Sequence, residues 1–158
     1  MTENHFDGEI SLDACEAVLR QQLPGEAKTY LHVGPLRDDR ARREQAEDLI
    51  SSGLHEDAWE LLDDLPPADR MEPPAVRLRL ICAMATKRFE TADELARYLG
   101  TGAEPDAHFA SPVLQDLARI QFLSGSREYA KGLAVAAINA HPERRFEIIY
   151  DPTLKALF

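Results

Sequence analysis

Three residue types could carry chemistry in this sequence: arginine, histidine and cysteine. The arginines are the most ordered. Arg40, Arg42, Arg43, Arg77, Arg79 and Arg119 cluster in three places, and Arg43 and Arg77 stand at i and i+34. A guanidinium presents a fixed fork of donors suited to carboxylates, so such a series could grip acidic groups. The carboxylates concentrate elsewhere: nine lie between Glu47 and Glu72, against Arg70 alone. A solvated, solubilising face is the simpler reading of that run, and a docking site the other.

The five histidines, His5, His32, His55, His108 and His141, are scattered singly, with no HExxH or cysteine partner, which predicts no metal site. Cys15 and Cys82 are too few for a disulfide framework and sit among apolar residues, where a thiol acts as a small hydrophobe. No GxSxG, GxGxxG or phosphate-loop GK[ST] motif occurs, so neither a catalytic residue nor a cofactor is expected.

Composition narrows the classes further. The chain has 158 residues, 44% of them hydrophobic, and a formal charge of -10. Non-specific attraction to nucleic acid or to an anionic membrane is therefore disfavoured. No run approaches the roughly 18 apolar residues of a membrane span. The opening MTENHFDGEISLD lacks the basic and apolar regions of a secretory signal, which predicts a soluble, cytoplasmic protein.

What must position these side chains is helical. Proline, which costs about 3 kcal/mol inside a helix, punctuates the chain at 24, 35, 66, 67, 73, 74, 105, 112, 142 and 152. The segments between are rich in Ala, Leu, Glu and Arg. Residues 1–37 read as an N-terminal helix after Ser11 (Leu12, Cys15, Val18 and Leu19 on one face) followed by a linker or cap, with 28–33 the one strand-like run. From Asp38 onward helices are expected at about 39–51, 55–65, 74–86, 88–99, 112–124 and 126–140, joined by short connections. A short helical stretch at 143–150 and a final turn capped by Asp151 complete the pattern. The expected class is all-α.

The helix pairs recur. Ala58 to Ala92 and Gly53 to Lys87 are both steps from i to i+34, and Ala92 to Ala130 and Lys87 to Gly125 are both steps from i to i+38. The longer step fits a loop from Gly100 to Pro112. Aligned on the alanines, the copies read SGLHEDAWELLDDL, TKRFETADELARYL and SGSREYAKGLAVAA. This resembles the second half of the tetratricopeptide repeat (TPR), a helix–turn–helix unit of about 34 residues. The turn glycine is Gly53 and Gly125, with Lys87 in the middle copy; the close-contact position of the first helix falls on Ala46, Leu80 and Ala118. The tail, with IIYDPTLKALF, and the segment GLHEDAWELLDDLPPADRMEPPAVRLRL are also similar to small bacterial TPR proteins. The resemblance covers residues 39–158, roughly three quarters of the chain.

The resemblance implies a right-handed α-solenoid of about three repeats, at 39–72, 73–110 and 111–144, with a C-terminal cap at 145–158. It further implies a concave groove lined by Arg43, Glu47 and Ile50, then Arg77, Ile81 and Met84, then Gln115, Arg119 and Phe122. Such a groove suits a protein or peptide segment bearing carboxylates and apolar anchors. The alternative is that its arginines only pair with Glu44, Glu47 or Asp116 on neighbouring turns. The asparagines of the family's carboxylate clamp are missing, which argues against capture of chaperone tails by that device.

Three functions stay open on this reading. The leading one is a non-enzymatic protein-interaction module; the others are a chaperone or accessory subunit for a secreted or assembled partner, and a small ligand-binding protein or enzyme with a pocket formed by residues 1–37. Self-association through Leu154, Leu157 and Phe158 is also open, against those residues folding back on Ile148 and Ile149.

Overall fold

A computed structural model describes residues 39–158. The chain divides between Arg37 and Asp38, and the described residues belong to the second unit. The N-terminal helix, the strand-like run and the cap expected in 1–37 lie outside the described residues.

The described residues are all-helical, with no strand among them. In chain order the helices are α1 (Asp39–Ser51), α2 (His55–Asp63), the single turn α3 (Pro67–Arg70), α4 (Pro73–Ala85), α5 (Phe89–Gly100), α6 (Glu104–Leu123), α7 (Arg127–Ala140) and α8 (Arg145–Ile149). Two 3₁₀ turns, Pro142–Arg144 and Lys155–Leu157, flank the last of these. Prolines open α3, α4 and α6 within their first two residues, where a missing N–H costs nothing.

One backbone device is built three times. The N–H of Leu54 donates to the carbonyl of Leu49 at 2.9 Å and that of Gly53 to Ile50 at 2.9 Å. The same pair of bonds runs from Arg88 to Ala83 and Lys87 to Met84, and again from Ser126 to Gln121 and Gly125 to Phe122. This double bonding closes a helix C-terminus through a left-handed residue. Gly53, Lys87 and Gly125 accordingly have φ of 79°, 60° and 91°. The next residue starts the following helix from nearly one conformation: φ/ψ are -87/62 at Leu54, -83/62 at Arg88 and -83/63 at Ser126.

Identical turns give three similar hairpins, α1–α2, α4–α5 and α6–α7. Ala58, Ala92 and Ala130 are fully buried, as are Ala46, Leu80 and Ala118. Each hairpin's two helices pack together, and α2 also packs on α4; α1 meets α4, α5 and α4 meet α6, and α5 meets α7. Leu62, Leu80, Leu99, Leu114, Leu117 and Leu133 fill the shared core, each contributing about 1.5–3 kcal/mol of burial.

The third hairpin departs from expectation. Its first helix does not begin near Pro112 after a long loop; α6 starts at Glu104 and carries Pro112 inside it. Pro105 and the acidic pair Glu104 and Asp106 form a favourable first turn. The extra two turns bury Asp106, Ala107, Ala110 and Ser111, and the Ser111 hydroxyl donates to the carbonyl of Ala137 at 2.9 Å. That burial outweighs the proline, which stands at the exposed side of the helix. Gly100 permits the close approach, since a Cβ there would lie 3.3 Å from Leu114 Cδ1 and 3.6 Å from the Ala140 Cβ. The extra residues therefore lengthen a helix rather than a loop.

Leu154 and Leu157 return to the core beside Ile148, whereas Phe158 is half exposed. Asp151 Oδ1 caps this last turn, accepting from the N–H groups of Thr153 at 2.8 Å and Leu154 at 3.1 Å.

Candidate partner-binding face

Helices α1, α4 and α6 hold all nine residues of the expected groove, three on each. The positions nearest their N-termini are engaged within the molecule. Arg43 Nη1 donates to Glu72 Oε2 at 2.5 Å. Arg77 grips Asp106 through Nε at 2.7 Å and Nη2 at 2.5 Å, with its guanidinium 5.7 Å from the Phe109 ring centre. The third position is Gln115, which is buried and accepts from Arg144 Nη2 at 2.7 Å. Each of these links spans 29 residues. Each ties the first helix of a hairpin to the start of the element that follows it.

Arg119 is held at the C-terminal end. Its Nε donates to Asp151 Oδ2 at 2.8 Å, its Nη2 donates to the same oxygen, and its Nη1 donates to Asp116 at 2.5 Å. Gln115 Nε2 adds a bond of 2.8 Å to Asp151. Burial alone would push the Asp151 carboxyl up, but Arg119, Gln115 and the two backbone N–H groups outweigh it and hold it down at about 2.

The open positions lie further along the three helices. Glu47 is exposed, Ile81 is 36% exposed, and Ile50, Met84 and Phe122 are partly buried against the core. Of the nine expected groove residues, the open ones are thus Glu47, Ile81 and the edges of Ile50, Met84 and Phe122. The arginines beside them already hold carboxylates of this chain, and only Arg119 uses a neighbouring-turn partner, Asp116.

A search of family models, of curated proteins and of solved structures found no match to this chain. Its chemistry has to be read from its own side chains.

Several groups come together that the sequence kept apart. His108 and His141 are not single: their rings stack with centroids 3.8 Å apart and planes 13° apart. Two guanidinium groups lie over the Trp59 ring, Arg79 at 4.9 Å and Arg88 at 4.8 Å. Arg79 reaches Asp63 at 3.3 Å, burial pulls its guanidinium below the usual range, and its Nε has no hydrogen-bond partner among the described residues. Asp93, nearly buried, accepts from Arg97 Nε at 2.7 Å and from the Tyr129 hydroxyl. Glu72 and Asp106, the partners of Arg43 and Arg77, themselves stand at i and i+34, and that spacing was the available signal.

Burial pushes the Cys82 thiol up to about 11, so it behaves as a core residue. Among the described residues no group of three His, Cys, Asp or Glu side chains is placed to hold a metal ion, and no helix is long and apolar enough to cross a membrane.

Proposed function

We propose that residues 38–158 form a repeat array of the tetratricopeptide type, a non-enzymatic cytoplasmic interaction module that binds a protein or peptide segment along α1, α4 and α6. The observation that carries this reading is the triple turn at Gly53, Lys87 and Gly125. Three equivalent turns set three first helices in equivalent positions, and stacked helical hairpins make extended surfaces suited to a chain-like ligand. The links from Arg43, Arg77 and Gln115 favour the same reading, because they stiffen the joints and leave the surface pre-organised.

The ligand's carboxylates would have to compete with Glu72, Asp106 and Asp151 for the arginines. Apolar anchors at Ile81, Met84 and Phe122 therefore supply more of the affinity than charge does. Arg77→Glu is a poor probe of this face, since it would place two carboxylates at one joint. Ile81→Glu changes an exposed position only. A photo-crosslinking side chain at position 81 of the full chain, used in its native cell, is expected to yield a protein adduct, and Ile81→Glu to weaken that partner at least tenfold. Equal affinity of the variant would remove the face from the reading.

A further inference from the structure

The segment after α7 repeats the joint chemistry of the first helices. Arg144 meets Gln115 as Glu72 meets Arg43 and Asp106 meets Arg77, each across 29 residues. By that register α8 starts where α4 and α6 start, in the place of a fourth first helix. Both its ends are fixed. Arg144 also donates to Ser111 Oγ at 3.1 Å, and Asp151, just past α8, is held by Arg119 and Gln115. Between them Ile148 is fully buried in the core. Phe146 on α8 and Tyr150 just past its end, one turn apart and on either side of Ile148 in the chain, therefore point outward. They are 69% and 74% exposed, and their rings stack with centroids 6.4 Å apart and planes 12° apart. On α6 Leu123, one turn beyond Arg119, is 77% exposed.

We propose that α8 extends the partner-binding face, and that Phe146 and Tyr150 anchor a short segment of a partner protein carrying apolar residues beside a carboxylate. The inference rests on the reading of α1, α4 and α6 as a partner face. Area and charge choose the occupant. At roughly 200 Å² per aromatic side chain, the pair bares about 300 Å², well short of the roughly 800 Å² that each side of a standard interface buries. A second copy meeting pair to pair would therefore be held too weakly, whereas a segment that runs on over Leu123 and Ile81 gains the remaining contact. From α8 to α4 is two interhelical steps, about 20 Å, which an extended chain covers in about six residues. Stacked rings offer flat apolar surface to aliphatic and prolyl side chains. The acid is selected by Arg145. Within 142–150, Glu147 is held by Arg144, and Glu143 lies 3.8 Å from the His141 ring nitrogen. That leaves Arg145, next to Phe146, exposed and with no ion-pair partner among the described residues, free to grip a carboxylate. Residues 142–158 balance Arg144, Arg145 and Lys155 against Glu143, Glu147 and Asp151, so an incoming acid meets no local excess of negative charge in a chain of net charge -10.

The test is phage display of random peptides of about eight residues, long enough for that span, on the full chain, counter-selected on the double variant Phe146→Ser/Tyr150→Ser. Enriched peptides are expected to pair aliphatic or prolyl residues with Asp or Glu. The consensus peptide, titrated by NMR, should shift amides of α8 and the end of α6. It should bind the double variant about tenfold more weakly or worse, with the circular dichroism unchanged because both side chains are exposed. Arg145→Glu should replace Asp and Glu by Lys and Arg in the selected peptides. No enrichment over the double variant would overturn the anchor, and an Arg145→Glu chain that still selects acids would overturn the partner's charge. A dimer in sedimentation that the double variant dissolves would overturn the segment in favour of a second copy. Amide shifts of residues 1–37 on making the double variant would overturn it in favour of this chain's own N-terminal segment. Ile81→Glu separates the anchor from the wider face. A consensus peptide weakened by the double variant and not by Ile81→Glu keeps the anchor and removes α4, and the reverse removes the anchor and keeps α4.

Discussion

Arg77 on α4 and Asp106 in the first turn of α6 meet at 2.5 Å, and the same 29-residue step joins Arg43 to Glu72 and Gln115 to Arg144. The three links are equivalent by repeat, yet their settings differ. The Asp106 side chain is 9% exposed and the Glu72 side chain 51%. An exposed pair gives little, because water already solvates both partners. Removing one partner of a buried pair strands the other charge.

Arg77→Ala should therefore destabilise the chain by about 2–3 kcal/mol, somewhat less than a fully buried pair would lose, because Arg77 itself is partly open to water. Arg43→Ala should cost under about 1 kcal/mol. Urea unfolding of the two variants checks the difference; equal losses would mean that the links do not act through burial of the acid.

The turn residues offer a second comparison. Lys87 holds φ of 60° where its repeat partners are glycines, and a side chain in this region costs roughly 1–2 kcal/mol. Nothing lies within 4 Å of a Cβ built on Gly53 or Gly125, so the cost there is conformational rather than steric. Lys87→Gly should raise stability by up to about 1 kcal/mol, while Gly53→Ala and Gly125→Ala should each lower it by about 1 kcal/mol. Thermal unfolding of the three variants reads the signs directly. A loss of stability in Lys87→Gly would show that the lysine side chain contributes more than its backbone costs.

Those turns were legible because spacing carries them: a step of one repeat period returns to the same place in a hairpin, whatever residue stands there. The buried alanines at 58, 92 and 130 follow from the same count. The start of α6 was not legible, since Pro112 reads as a boundary, and only tertiary burial of Ala110 and Ser111 shows that the helix continues through it. The placing of the nine expected groove residues on α1, α4 and α6 was legible, and most of the partners of their arginines were not. Arg43, Arg77 and Arg119 each reach a carboxylate 29 or 32 residues away, beyond the pairing rules for neighbouring helical turns, which could find only the second contact of Arg119, with Asp116. His108 and His141, on α6 and just past the end of α7, meet for the same non-local reason.

Asp151 gives the chain a titratable latch at its C-terminal end. Its carboxyl is held down at about 2, below the ordinary value of 3.8, by Arg119, Gln115 and two N–H groups acting against burial. A group whose folded value is depressed contributes stability that is complete above the unfolded value and disappears as pH falls toward the folded one. The window here runs from about pH 4 down to about pH 2, and the contribution at neutral pH is on the order of 2 kcal/mol. Asp151→Asn removes this titration and keeps an oxygen for Thr153 and Leu154. The stability gap between wild type and Asp151→Asn, measured by urea midpoints from pH 7 to pH 2, should stay constant to about pH 4.5 and then narrow. A gap that is independent of pH over this range would place the role of Asp151 in packing rather than in charge.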